Sequence, residues 1–382
     1  MTRKRGRTFT NYQKQTFSMV HSMHFSIYKT SFTTILGIGI YLASVQPASA
    51  VVYHVDELRP APGYAYSNAS QINDSRDVVG SSSPATGGFK NIGTLWQGLT
   101  PVNLGKTDKG NYSEATAINN FGKVGGEADD GDFRPNVVAF QGRVAKFIDK
   151  GANNSHVVAV TDGGSFIGNY LKGFGGTWFP TLWTEDPRKR GEYRHLFLPM
   201  YQDPTGASSY NYINDANNSG AAVGQVSGVS LGGDRPGFWN NDAAHTLSVL
   251  PLLSNDWGGY AYGVNDTGTV VGVSNQGIFS SMPVVWAAGA DHPVTALPLF
   301  PGEVQGQAAK INNAGQIIGF HGDGSAPAVW INDQIFDLQS SLDQSGAGWQ
   351  LLVVSDINNS GQIVGTGQLN GQTRAFVLTP VE

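Results

Sequence analysis

The stretch DINNSGQIVG, Asp356 to Gly365, recurs in seven versions along the chain, and this repetition restricts the fold more than any other feature. The other six are Gln71-INDSRDVVG, Ala117-INNFGKVGG, Ala159-VTDGGSFIG, Asp215-ANNSGAAVG, Gly263-VNDTGTVVG and Lys310-INNAGQIIG. Their closing glycines, Gly80, Gly126, Gly168, Gly224, Gly272, Gly319 and Gly365, follow one another at intervals of 42 to 56 residues. Each copy continues alike. An aromatic in an apolar stretch follows 11 to 16 residues after the glycine: Trp96, Phe140, Trp183, Trp239, Trp286, Trp330 or Phe376. In six repeats a shorter apolar segment comes next, such as LeuSerVal at 247–249 or PheAspLeu at 336–338. One repeat therefore holds four short strands, A to D. Four antiparallel strands per 40–50 residues is the signature of a propeller blade. The expected fold is all-β, a seven-bladed β-propeller occupying residues 51–382 as a single domain.

The seventh repeat ends at Glu382 before a D strand can form, and a D-like segment, Val51-VYHVDEL, stands at the other end of the domain. The N-terminal strand is therefore expected to complete the last blade, covering sheet edges that would otherwise pair with other molecules.

Residues 1–50 differ from the rest. They carry Arg3, Lys4, Arg5, Arg7, Lys14 and Lys29 and no acidic residue, followed by an apolar run from Phe32 to Val45 and the sequence Ala48-Ser49-Ala50. A basic segment, a short apolar segment and an A-x-A site read as a secretory signal peptide cleaved after Ala50, with Met19 or Met23 giving a more usual length. Fourteen apolar residues are short for a membrane span. Six of the 24 Lys and Arg residues fall in this segment and none of the 29 Asp and Glu, so residues 51–382 carry a net charge near −11. That balance disfavours nucleic acid and anionic membranes as partners. With no cysteine there are no disulfides, thiolate metal sites or cysteine nucleophiles. The expected location is secreted, extracellular or periplasmic, and the expected state is a monomer.

The repeated stretch has a local physical account. Asn358-Asn359-Ser360-Gly361 places Asn first and Gly fourth, as a type I turn with a following G1 bulge prefers. Arg76 breaks the rule in the first repeat, at a cost on the order of 1 kcal/mol if it must be left-handed. The two positions after the strand-ending apolar residue supply only Asp74, Asp162 and Asp266 as carboxylates. A calcium loop needs several on one ion, so no metal and no cofactor are expected.

The repeated AxxIN-(N/D)-x-G-x-VVG with its phase-locked aromatic strand resembles the HAF-type bacterial extracellular repeat, over Val51 to Glu382. The departures are Thr161 for Asn, Ala216 for Ile, and Phe140 and Phe376 for Trp. The resemblance implies an extracellular repeat protein and brings no catalytic residues with it. Members often carry a C-terminal sorting tail; the chain ends Arg374-AFVLTPVE, and release rather than anchoring is the expectation.

Function is expected where the repeats disagree, because loops on a rigid scaffold carry it. A–B turns are uniform, so the opposite face, bearing B–C and D–A loops, is the candidate surface for a glycan or protein ligand. It would present Trp178, Trp257, Trp349, His321 and Lys172. Four positions before the strand-ending residue of strand A stand His156, Tyr212 and Tyr260, expected to converge on the channel mouth. Two readings stay open there. One is a binding module. The other is a polysaccharide lyase acting by β-elimination, with His156 as base, Tyr212 or Tyr260 as acid and Arg235 or Lys172 neutralising a uronate carboxylate. A cell-surface or adhesion component is a third. Paired carboxylates from Asp129, Asp130 and Asp132 would serve glycoside hydrolysis, although a DDGD loop is more often a solvated turn. The basic run Asp186-PRKRGEYRH belongs to a C–D loop on the uniform face.

Overall fold

The computed structural model describes residues 51–381 except 87, 89, 152–153, 174–175 and 278–279; residues 1–50, with the expected signal peptide, lie outside the described residues. Twenty-eight strands make seven four-stranded antiparallel sheets, each ordered A-B-C-D, and two short 3-10 turns are the only helix among the described residues. This is a seven-bladed β-propeller. Blade five shows the pattern: A is Gly258–Val264, B Val270–Gly277, C Ser280–Trp286 and D Val294–Ala296.

The ring closes as the repeat arithmetic requires. Tyr53–Leu58 pairs antiparallel with strand C of blade seven, Gln372–Pro380, from Tyr53 opposite Pro380 to Leu58 opposite Ala375. The two ends of the domain thus share one sheet.

The closing glycines have a steric cause that the turn alone does not reveal. In every blade strand A carries a β-bulge, and the residue just before it lies opposite the closing glycine: Ala69 on Gly80, Ala261 on Gly272, Val354 on Gly365. The bulge pushes a strand A carbonyl toward the glycine. A Cβ on any of the seven would stand only 1.9–2.0 Å from that oxygen, supplied in turn by Asn68, Glu114, His156, Tyr212, Tyr260, Gln307 and Val353. No side chain fits there, so glycine recurs.

The strand C aromatics fill the space between blades. Trp96, Trp183, Trp239, Trp286 and Trp330 are all at most 1% exposed. Burying an indole leaves its N–H in need of an acceptor. Trp96, Trp239, Trp286 and Trp330 each donate at 2.7 Å to a carbonyl just after strand D of the preceding blade: Arg59, Pro199, Pro251 and Pro298. In blade three Trp183 uses the Asp149 carboxylate at 3.0 Å. Each tryptophan thus both packs and staples two blades together. Phe140 and Phe376 lack the N–H and serve by packing alone.

Candidate functional site

The uniform A–B turns are scaffold. Gly122, Gly164, Gly220, Gly268, Gly315 and Gly361 sit at φ of 75–95° at the fourth turn position, and Arg76 takes the same left-handed conformation at φ 69°. The first Asn of each turn caps its own loop: Asn358 Oδ1 accepts from the N–H groups of Ser360 and Gln362. Its Nδ2 then crosses to the next blade and donates to Asn73 O at 3.1 Å. Asn73, Asn119, Asn217, Asn265 and Asn312 repeat that bridge. Thr161, with no amide, interrupts the series between blades three and four.

The second turn residue makes a closed circle. The Oδ1 atoms of Asn120, Asp162, Asn218, Asp266, Asn313, Asn359 and Asp74 each accept the backbone N–H of the corresponding residue one blade earlier, at 2.9–3.2 Å. An oxygen satisfied in this way gives a strong reason for Asn or Asp at this position. Among the described residues no group of three or more His, Asp or Glu side chains is arranged to hold a metal.

One layer deeper, Gln71, Asp215 and Asp356 accept the N–H groups of Ile118, Val264 and Ile72 in the following blades. Lys310 Nζ reaches Asp215 at 2.6 Å, passing blade five where Gly263 has no side chain. Asp356 is 9% exposed. Burial lifts its carboxyl to about 7, despite the opposing pull of the Lys310 charge.

The opposite mouth of the channel is built differently. His156 on strand A of blade three (Asn154–Val160) directs Nδ1 at Glu127 Oε2, 2.6 Å away on strand B of blade two. Trp178 stands between His156 and Tyr212, its ring centroid 5.3 Å from one and 5.6 Å from the other. Tyr212 stacks on Tyr210 at 6.1 Å. In blade five Tyr260 stacks on Tyr262 at 5.9 Å and donates its hydroxyl to Asp234 Oδ2 at 2.6 Å. Arg235 Nη1 donates to the carbonyls of Asp234 and Trp257. The result is an aromatic arc across blades three to five, edged with carboxylates. Burial pushes the Tyr212 phenol up to about 12, and burial together with Asp234 raises Tyr260 further. Both hydroxyls stay protonated donors at neutral pH.

The sequence-derived residues therefore divide. His156, Tyr212, Tyr260, Arg235, Trp178 and Trp257 meet in the arc, and Trp257 is 45% exposed. Lys172 is exposed at the end of strand B of blade three. Trp349, expected on the ligand face, packs in the core against Phe376 at 8% exposure. His321 is held at both nitrogens, by Glu303 at 2.7 Å and Asp337 at 3.1 Å, which raises its pKa against the effect of burial. Asp129 is fully buried and accepts N–H groups from Asn111, Tyr112, Gly131 and Phe133. Those bonds outweigh burial and hold its carboxyl below the usual range. Asp129 shapes a loop and has no oxygen left for glycoside hydrolysis. Glu127, Tyr210, Asp234 and Tyr262 escaped sequence reasoning. Tyr210 and Tyr262 each lie two strand positions from a residue already marked, the spacing that shares a sheet face.

The class of protein is set by this geometry: a β-propeller with a uniform, hydrogen-bonded turn face and a variable, aromatic opposite face. Solved propellers resemble it at low identity. The extracellular domain of a one-component system from B. thetaiotaomicron matches with a TM-score of 0.50 and 10% identity, over 84% of this chain and 39% of that one. Virginiamycin B lyase from Staphylococcus aureus gives 0.43 and 11%, over 87% and 100% of the two chains. A gluconolactonase from Xanthomonas campestris gives 0.34 and 13%, over 88% and 99%. These likenesses concern the fold. No family model and no curated protein matches the chain.

Proposed function

We propose that this propeller is a secreted interaction module that binds an uncharged carbohydrate across its variable face. The observation that carries the reading is the aromatic arc Trp178, Tyr212, Tyr210, Tyr262, Tyr260 with the exposed Trp257 beside it. Aromatic faces stack on the apolar faces of sugar rings, and phenols and carboxylates bond their hydroxyls. A protein ligand presenting aromatic and hydroxyl groups would use the same surface. The pattern of residues 1–50 and the resemblance to HAF-type extracellular repeats support export.

The lyase reading keeps one observation in its favour, the Glu127–His156 pair at 2.6 Å. There His156 would take the proton beside the uronate carboxylate. The electron pair would form a carbon–carbon double bond and expel the glycosidic oxygen, which would take a proton from Tyr212. Electrostatics tell against it. Glu114 lies opposite Glu127 across strands A and B of blade two, bonded by Asn91 of blade one, and Glu127 and Asp234 border the arc. Arg235 is engaged by backbone carbonyls. A polyanion would meet carboxylates.

The test is to produce the protein from its full reading frame, read the N-terminus of the exported form, and apply that protein to a glycan array. Export beginning at Val51 is expected, with retention of neutral glycans that Trp178→Ala and Trp257→Ala each weaken at least tenfold. An array without a retained glycan overturns the carbohydrate reading. Unsaturated products from a uronan, lost in His156→Ala, would put the lyase in its place.

A further inference from the structure

The channel wall between blades five and six contains a pocket of about 250 Å³ that the arc alone does not explain. Trp257, Tyr260, Tyr262, Asn275, Ser281 and Gln307 line it. Two independent features single it out. Trp257 presents its indole to solvent at 45% exposure, while the five strand C tryptophans are closed in the core. Its backbone is also held in place: the Trp257 main-chain N–H donates to Asn275 O at 3.1 Å, and Arg235 grips its carbonyl. The α-carbon of Gly233 lies close enough that an added Cβ would stand 3.2 Å from the indole.

The second feature is Asn275. Its side chain is in a residue only 7% exposed, and its Oδ1 has no hydrogen-bond partner. An orphaned buried carbonyl oxygen costs about 1–3 kcal/mol, so a native structure that keeps one calls for an explanation. Asn275 lies on strand B in the wall of the pocket; its Oδ1 is closed to water in the free protein, and a turn of the amide about χ2 would bring that oxygen to an entering donor.

Resting on the carbohydrate reading above, we infer that this pocket is the subsite for one uncharged pyranose residue, stacked on Trp257 and donating a hydroxyl or acetamido N–H to Asn275 Oδ1. The pocket is of single-ring size. Its polar groups besides Asn275 are the Ser281 hydroxyl, the Gln307 amide and the tyrosine phenols. Asp234, which accepts the Tyr260 hydroxyl, sets a negative charge beside it. This chemistry selects a neutral sugar over a uronate. Asn275 is thereby the specificity-determining residue: a ring whose hydroxyl faces elsewhere would leave the carbonyl unpaired, which discriminates strongly between similar ligands.

The experiment titrates the full chain with methyl hexopyranosides, N-acetylhexosamines and, as a contrast, N-acetyl amino-acid amides, followed by tryptophan fluorescence and NMR. At least one pyranoside is expected to bind, with affinity reduced tenfold or more by Trp257→Ala and by Asn275→Ala and unchanged by Phe121→Ala, an exposed residue of the uniform turn face. Asn275→Leu supplies a readout that a purely structural asparagine would not give: binding lost while the melting temperature rises, because the orphaned oxygen is gone. A lowered melting temperature with binding retained overturns the assignment, as does binding of amino-acid amides but of no pyranoside. Glycans retained on the array but indifferent to Trp257→Ala and Asn275→Ala would sink this subsite and leave the module standing. An array with no glycan at all would sink both.

Discussion

At Asp356, the first residue of the stretch repeated seven times, the carboxylate does two jobs that pull in opposite directions. It accepts the Ile72 N–H and so ties blade seven to blade one. It also shares the channel with Asp215 and a single cation, Lys310, while burial penalises its charge. The folded pKa of about 7 lies above the ordinary aspartate value of 3.8. The folded state therefore holds a proton that the unfolded chain has released, and stability declines as pH rises from about 4 to 7. Asp356→Asn keeps an acceptor for Ile72 and removes that titration. Denaturant unfolding of both proteins from pH 4 to 8 should show the variant gaining roughly 3 kcal/mol relative to the parent across the window. A difference that stays constant with pH would show that Asp356 is ionised throughout.

At the scale of the strand, the bulge and its facing glycine are one device. The bulge in strand A shifts the register and aims a carbonyl across the pair, and only glycine tolerates it. Gly272→Ala would place a methyl group 2.0 Å from Tyr260 O. Since the obstacle is backbone, strand A must move, and Tyr260 moves with it. The expected cost is about 3 kcal/mol in equilibrium unfolding, with weakened ligand binding because the Tyr260–Asp234 bond is displaced. Unaltered stability would mean that the bulge is soft and that the glycine answers some other need.

For the whole molecule, closure by Tyr53–Leu58 decides whether seven blades behave as one body. Without that segment strand C of blade seven, Gln372–Pro380, presents a bare edge, and Tyr53, Val55 and Leu58, each at most 5% exposed, leave the core. Chains lacking residues 51–58 are expected to melt at least 10 °C lower and to associate through the freed edge, as seen by calorimetry and size-exclusion chromatography. A monomer of unchanged melting temperature would show that the seam is dispensable.

The sequence by itself determined the number of blades, the strand order and the closing strand. Those follow from local, repeated chemistry: a turn needs its Asn and Gly, a strand its alternation, and seven equal units leave one strand over. It also marked His156, Tyr212, Tyr260, Trp178, Trp257 and Arg235 as residues of the variable face. Only the tertiary structure decided what each contact is for. Asn120 and Asp162 look interchangeable in a turn because both merely offer an oxygen to the neighbouring blade. Trp349 and Trp257 are the same residue type near the start of a strand A, yet one packs on Phe376 and the other faces solvent. Glu127, Asp234 and Asn275 acquire meaning from partners, or from the want of one, on other strands and in neighbouring blades. Such pairings depend on register and blade rotation, which bring together groups far apart in the chain and leave no periodic trace along it.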